Sequence, residues 1–569
     1  MSPTPRLPAR RVPPLSGRLF AIVAFCATPF VVPSADAADQ PNILYITIDD
    51  LNDWVGVLGG HPQVKTPHID RLAERGMLFT NAHCVVPACS GSRASNWTGL
   101  LPMRTGVYGN GQKLEKTNPG ALVLPEDLAA QGYYTMGTGK LIHGKSQAYF
   151  HTYGPDYNKW RPILDDELTI TPQERADNDP YVRHEIPRLG ITMPLNQMPR
   201  DRRPDSFVID SFDWGVIDRP ESEWTDTQSA DWAVEKLGED HDQPFLLAVG
   251  FYRPHQPLWA PKKYHDMYPP ESIVLPETLA GDLDDVSATA QELARYALTS
   301  GRHDTTVNHG QWRNAVSAYL ACITFVDAQL GKVLDALDAS DHADNTIIVL
   351  WSDHGWQLGE KEHWGKFTAW ERSTRVPLVV VPAAEHTPAG FSQGKRSRAP
   401  VSLLDVYPTV IDLVGGKLRS DLDGQSLVGL MVGEPKTGNR SAITTVGRGT
   451  HTVRSWNWRY TRYFDGTQEL YSLKDDPHEW HNLIDDPAHA NVVKRLAKEI
   501  PEDPNYDHFV RFGDFKAVIP SDGSPLMLFG PKVAMFAEDK DVAREHPEIV
   551  AHISTYLAQN PHAPKHFSL

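Results

Sequence analysis

Several short stretches of the chain end in residues that can hold a cation, bind an anion or move a proton. Asp49 and Asp50 close "NILYITIDD", Lys140 and His143 lie in "GTGKLIHG", His255 in "GFYRPHQP", and Asp353 and His354 in "VLWSDHG". Three carboxylates make a hard oxygen set of the kind Ca²⁺ or Mg²⁺ takes, to which His354 adds a nitrogen ligand or a hydrogen bond. Zinc sites usually show more His or Cys at close spacing. A further stretch, "CVVPACSGSRASNWTG" at 84–99, sets Cys89 where a helix is predicted to begin, with Arg93 four residues on. At a helix N-terminus the backbone N–H groups and the dipole favour an anion, and Arg93 is placed to reach back over one turn to the same group. Lys140 and Lys366 add cations for an anionic substrate, and His143 and His255 are candidate proton donors. Read alone, Cys89 is either an ordinary thiol, in the core or in a disulfide, or a reactive centre.

These residues need a frame that gathers them. "NILYITI" runs apolar without alternation, as does a strand buried on both faces of a parallel sheet. Short strands of similar character precede Lys140, His255 and Asp353, and "VPLVVVPA" at 376–383 adds another. Between them lie helical patterns, the longest at 314–340. Strands alternating with helices predict an open α/β sheet, whose ligands sit beyond the carboxyl ends of the strands. Four strands thus deliver three Asp, three His and a Lys to one edge.

Composition limits what such an edge can serve. The chain has 569 residues, 40% hydrophobic and 22% charged, enough for one large domain or two unequal ones. Residues 1–37 hold four Arg, a short apolar run and the small-residue spacing of Ala35 and Ala37, the pattern of a signal peptide, which predicts a secreted or periplasmic protein. Losing that net +3 segment takes the formal charge from −17 to −20. Such a surface repels nucleic acid and anionic membranes, so neither is an expected partner, and an anionic substrate needs a local cationic pocket. Three cysteines remain, Cys84, Cys89 and Cys322, an odd number for an exported protein. Cys322 lies on an apolar helix face as a core thiol.

Taken together and in order, "ILYITIDDLNDW", "PACSGSRASNWTG", "GKLIHG", "GFYRPHQP" and "WSDHGWQLGEKEHWGKFTAWERSTRVPLVV" resemble the signature blocks of the type I sulfatases, most closely the iduronate 2-sulfatase branch. The resemblance runs from about 40 to about 480. It implies an α/β, alkaline-phosphatase-like fold with a mixed, mostly parallel sheet flanked by helices, and a smaller C-terminal α+β subdomain holding an antiparallel sheet. It implies a sulfuric ester hydrolase acting on sulfated carbohydrate, in which a maturing enzyme converts Cys89 to formylglycine. Asp49, Asp50, residue 89, Asp353 and His354 would bind one Ca²⁺; Cys89, Arg93, Lys140, His143, His255 and Lys366 would act on the sulfate and its leaving group. One motif position departs: the family pattern Cys-x-Pro-x-Arg has Gly91 in place of Pro, which loosens the segment while it is extended.

The catalytic domain is expected over 38–435 and a C-terminal subdomain and tail over 436–569. "HTVRSWNWRYTRYFDGTQELYSLKDDPHEW" reads as an antiparallel sheet, residues 500–569 give no clear pattern, and 145–225 reads as irregular substrate loops. The competing readings are a phosphate or phosphonate ester hydrolase on the same scaffold, and an inactive protein that binds sulfated glycans.

Overall fold

The computed structural model describes residues 40–144, 146–168, 183–199, 211–295, 301–433 and 440–569, apart from 531–535, 537 and 539. The leader expected over 1–37, much of the stretch at 169–210, and the boundary expected at 435 lie outside the described residues.

Eight strands form the main sheet: β1 (Asn42–Ile48), β2 (Met77–Phe79), β3 (Tyr134–Gly139), β4 (Thr152–Asp156), β5 (Phe245–Phe251), β6 (Thr346–Ser352), β7 (Leu378–Val381) and β8 (Lys395–Ser397). Their spatial order is β8-β2-β7-β6-β1-β5-β3-β4. All run the same way except β7, which is antiparallel to both neighbours. The chain between Ser352 and Leu378 carries Asp353, His354 and Lys366 and stays at the edge where β6 ends. It therefore re-enters the sheet from that edge, and the "VPLVVVPA" strand runs backwards.

Every residue of β1 is buried, as a strand covered on both faces requires. Alternate side chains serve two cores. Leu44, Ile46 and Ile48 pack with Leu320, Ile323 and Val326 on one face, and Ile43 and Tyr45 pack with Trp97, Tyr407 and Val410 on the other. The first partners belong to a long helix. The helices used below are α1 (Pro67–Arg75), α2 (Cys89–Thr98), α3 (Thr225–Leu237), α4 (Trp312–Asp338), α5 (Val406–Leu413) and α6 (Pro547–Gln559). α4 lies with α1 and α3 over one face, and α2 and α5 cover the other. Each large apolar side chain buried this way contributes about 1.5–3 kcal/mol. Cys322 sits in α4, fully buried, as expected of a core thiol.

The C-terminal part holds two further sheets, the first antiparallel and the second mixed. β9 (Ala442–Thr445), β10 (His451–Arg454), β11 (Trp458–Arg462) and β12 (Gln468–Ser472) pair in sequence order. Residues 500–569, without a clear pattern in the sequence, build a second sheet from β13 (Tyr506–Phe512), β14 (Phe515–Pro520), β15 (Met527–Phe529) and β16 (His566–Ser568), with α6 packed against it. β9 reaches the chain just before Cys89: Thr445 N donates to Val85 O at 2.8 Å, and Thr444 Oγ1 donates to Cys84 O.

Candidate active site

Register decides which residues meet. Ile48 of β1 is level with Ser352 of β6 and Phe251 of β5, and Gly139 of β3 is level with Gly250 of β5. The next residue along β1, β6 and β3 is Asp49, Asp353 and Lys140, so Asp49 and Asp353 leave their strands level with each other and Lys140 leaves its strand one residue earlier at the same edge.

Cys89 opens α2 as the sequence predicts, preceded by Ala88 in extended backbone with no side-chain cap. Asn110 Oδ1 accepts from Ser90 N at 3.0 Å, and Gly99 closes the helix in the left-handed region at φ 70°. The Cys89 Sγ faces a ring of ionisable groups. Lys366 Nζ donates to it at 2.9 Å, His354 Nε2 lies at 3.4 Å, Lys140 Nζ at 3.7 Å and Asp50 Oδ1 at 4.0 Å. Lys366 Nζ also donates to Asp50 Oδ1 at 2.6 Å, and Lys140 pairs with Asp49.

Arg93 does not reach back to Cys89 as its spacing suggested. Its guanidinium lies among the strand ends, donating to Asp353 Oδ2 at 2.9 Å, Asp49 Oδ1 at 3.2 Å and the carbonyl of Lys140 at 2.7 Å. A planar fork with several donors finds more acceptors in that row than one thiol offers. Arg93 therefore fixes the carboxylates rather than the Cys89 side chain.

Asp49, Asp50, Cys89, Arg93, Lys140, Asp353, His354 and Lys366 are buried, whereas His143 and His255 keep partial exposure. Solvent thus reaches the cluster on the histidine side. His255 Nε2 is 3.8 Å from Asp50 Oδ2. Burial, with Lys140 next, lowers the pKa of both rings, His143 to about 3. Burial opposes ionisation of Asp49, but Lys140, His255, Arg93 and Lys366 together hold its carboxyl well below the usual range. Asp50 is pushed up to about 8 by burial, with Asp49 adding to the rise and Lys366 pulling against it.

Two overlapping sets of ligand atoms lie within 4.8 Å of one another: Asp49, Asp50, Cys89 and His255, and Asp49, Cys89, Asp353 and His354. Asp50 Oδ2 is buried with no hydrogen-bond partner among the described residues. An orphaned buried carboxylate oxygen beside two further carboxylates is the donor chemistry a hard divalent cation satisfies, so the residues present fit one.

Sequence reasoning missed the supports. Tyr319 of α4 donates its hydroxyl to Asp50 O at 2.7 Å and accepts from Asn52 N at 3.1 Å, bracing Asp50 in the left-handed region at φ 61°. Asp is among the few residues that tolerate it. Tyr157 and Tyr252, stacked 5.7 Å apart, lie 5.5 and 5.1 Å from Lys140 Nζ. Tyr252 lay within a quoted motif, but only packing reveals what an aromatic faces. Cys84, Cys89 and Cys322 are all free.

Comparisons with known proteins give the family. A family model described as Sulfatase covers residues 41–416, and one described as N-sulphoglucosamine sulphohydrolase, C-terminal, covers 359–505. The chain belongs to the sulfatase family. It is similar to a protein named sulfatase from Formosa agariphila, 35% identical over 82% of this chain and 87% of that one. It is also similar to the iduronate 2-sulfatase of Mus musculus, 27% identical over 87% of this chain and all of that one. Among solved structures, the phosphonate monoester hydrolase of Agrobacterium radiobacter superposes with a TM-score of 0.61 at 22% identity, covering 81% of this chain and 94% of that one. This last likeness speaks to the fold alone. The sulfatase described here thus has the α/β, alkaline-phosphatase-like architecture the sequence predicts, with the Cys89 cluster at the carboxyl edge of its main sheet.

Proposed function

We propose that this sulfatase removes sulfate from carbohydrate esters, in the manner of the iduronate 2-sulfatases it resembles, and that Cys89 acts after conversion to formylglycine. The observation that carries the reading is the setting of the Cys89 side chain: first residue of α2, ringed by Lys366, His354 and Lys140. A structural thiol needs no such company. The formylglycine aldehyde adds water to give two hydroxyls on one carbon. One hydroxyl passes its proton to Asp50, whose Oδ1 lies 4.0 Å from the side chain at 89, and attacks sulfur; the S–O bond to the ester oxygen breaks with its pair on that oxygen, which takes a proton from His143 or His255 once the bound anion has charged the ring. The second hydroxyl then gives its proton to the histidine left neutral by the first step, the bond between carbon and the sulfated oxygen breaks with its pair on that oxygen, and sulfate departs with the aldehyde restored. Lys140 and Lys366 neutralise the sulfate oxygens in a water-poor site, where such charges act strongly.

Asp49, Asp50, Asp353 and His354, with the side chain at 89, would hold a divalent cation, for which the carboxylate-rich set favours Ca²⁺. Bound there, it would polarise the sulfate oxygens. Arg93 serves this set by pinning Asp49 and Asp353. The −20 exterior argues that the substrate is drawn by this pocket and not by the general surface. The signal-like leader supports a secreted or periplasmic protein.

Two measurements test the reading. Mass spectrometry of the peptide 76–93 from active protein is expected to find sulfur at position 89 replaced by oxygen with loss of two hydrogens; an unmodified thiol in fully active protein overturns the mechanism. Turnover of a sulfate ester is expected to exceed that of the matched phosphate and phosphonate esters, and the opposite order would make this chain a phosphorus ester hydrolase on the same scaffold.

A further inference from the structure

A second cleft, of about 430 Å³, opens between the first C-terminal sheet and the loops beyond the main sheet, and none of the ten site residues lines it. One wall carries Trp456, at the turn between β10 and β11, and Trp480, whose ring stacks on His478 with centroids 4.5 Å apart at 15°. Trp456 is 40% exposed, so its ring is open to a ligand. Another part of the wall carries Asp53, Arg375 and Arg398. Asp53 binds Arg375 at 3.1 Å and also pairs with Arg372, so that wall presents a carboxylate and guanidinium N–H groups side by side.

Flat aromatic faces beside close-set donors and acceptors suit one ligand class. A sugar ring offers a C–H face to an aromatic plane and, around its rim, hydroxyls that both donate and accept. The charge of the lining narrows the class. Six carboxylates and five cations line the cleft, a formal −1 with histidines neutral. Four of the cations are engaged, in Lys361–Asp282, Arg372–Asp53, Arg375–Asp53 and Arg454–Glu371 pairs. Such a lining gives a sulfate group no net attraction, in contrast with the lysines around Cys89.

We propose that this cleft is a second carbohydrate-binding site, taking uncharged sugar units of the glycan whose sulfated unit enters the Cys89 site. The proposal rests on the glycan reading above and adds where the remainder of the substrate is held. Continuity of chain supports it. Asp53 follows Asp50 by three residues and Gln357, also in the lining, follows His354 by three. Three residues span at most about 11 Å, so one wall of the cleft stays within reach of a short oligosaccharide seated at the catalytic edge. Remote binding of this kind lowers KM for extended substrates and leaves turnover of a minimal ester untouched.

The test uses the full-length protein carrying Cys89→Ala, titrated calorimetrically with neutral tetrasaccharides of glucose, xylose, mannose and galactose and with a sulfated tetrasaccharide. Saturable binding of at least one neutral probe is expected, weakened at least tenfold by Trp456→Ala or Trp480→Ala. Binding of no neutral probe overturns the proposal, as does binding unchanged in both tryptophan variants, or loss of the sulfated probe's binding alone in them. In protein with Cys89 intact, both tryptophan variants should turn over a small aryl sulfate at the unaltered rate. Absence of that turnover in the parent protein would sink the sulfatase mechanism and leave the binding result standing, so the two failures are distinguishable.

Discussion

A Cβ at Gly91 would lie 2.7 Å from Val86 Cγ1 and 2.9 Å from Val86 Cβ. The Val86 side chain fills the space beside Gly91, so any larger residue at position 91, proline included, requires an exchange of packing within the Cys89 segment.

That exchange changes what a substitution should do. Read from the sequence, Gly91→Pro stiffens the extended segment and is expected to raise the converted fraction of Cys89. In the folded protein the same change overpacks the site against Val86, at a cost of about 1–3 kcal/mol. Gly91→Pro should therefore unfold at a lower temperature than the parent, and Val86→Ala should restore part of the loss. A thermal-melt double-mutant cycle checks it; additive effects would show that the two side chains do not share the space.

Cys89→Ala should fold and should be inactive, because α2 is anchored by Asn110, Arg93 and Gly99 and not by the thiol. A melting temperature within a few degrees of the parent, with turnover of a sulfate ester at background, is the expected pair of results.

Lys366→Ala and His255→Ala should lower turnover by about 100-fold or more, the usual scale for removing one group that meets developing charge, while the protein stays folded. Normal rates in either variant would remove that residue from the mechanism.

Asp353→Ala should lose bound metal and leave Arg93 with a single carboxylate partner, Asp49. Chelation of the parent protein followed by metal return should restore activity with Ca²⁺ and not with Zn²⁺ alone. Elemental analysis that finds stoichiometric zinc, or unaltered metal content in the variant, counts against the carboxylate site.

A different ion-pair network joins the C-terminal subdomain to the catalytic domain. Arg459 of β11 is buried and binds Glu371, and also Glu479 at 2.6 Å. Arg459→Ala leaves both carboxylates without it and should cost about 3–5 kcal/mol. Burial opposes ionisation of Glu371, but Arg454 and Arg459 hold its carboxyl well below the usual range. A lowered folded pKa adds stability that is complete above the unfolded glutamate value of about 4.3 and is lost as pH falls through the folded value. Arg459→Ala should accordingly move the acid-unfolding midpoint to higher pH, measured by far-UV circular dichroism.

The sequence by itself determined the residues that carry chemistry and the kind of frame that holds them. Apolar runs ending in Asp, His or Lys state both that a strand is buried and that its end is not apolar, so Asp49, Asp353, Lys140 and His255 were legible as one edge. The motif around Cys89 was legible because a helix start follows from local chain chemistry. What the sequence left open depends on neighbours distant in the chain. The reversed direction of β7 follows from where the preceding loop travels, and the second C-terminal sheet is completed by a pairing between distant stretches, Phe509 of β13 with His566 of β16. Arg93 illustrates the limit most directly. Its spacing from Cys89 is a local fact and suggested a partner one turn back, whereas its actual partners, Asp49 and Asp353, lie 44 and 260 residues away and come within reach only when β1 and β6 align. Tyr319 beneath Asp50, and Val86 in the space at Gly91, belong to the same class. A side chain's type and period are properties of the chain, but the atoms it touches are fixed by register and close packing, which only the assembled sheet and helices decide.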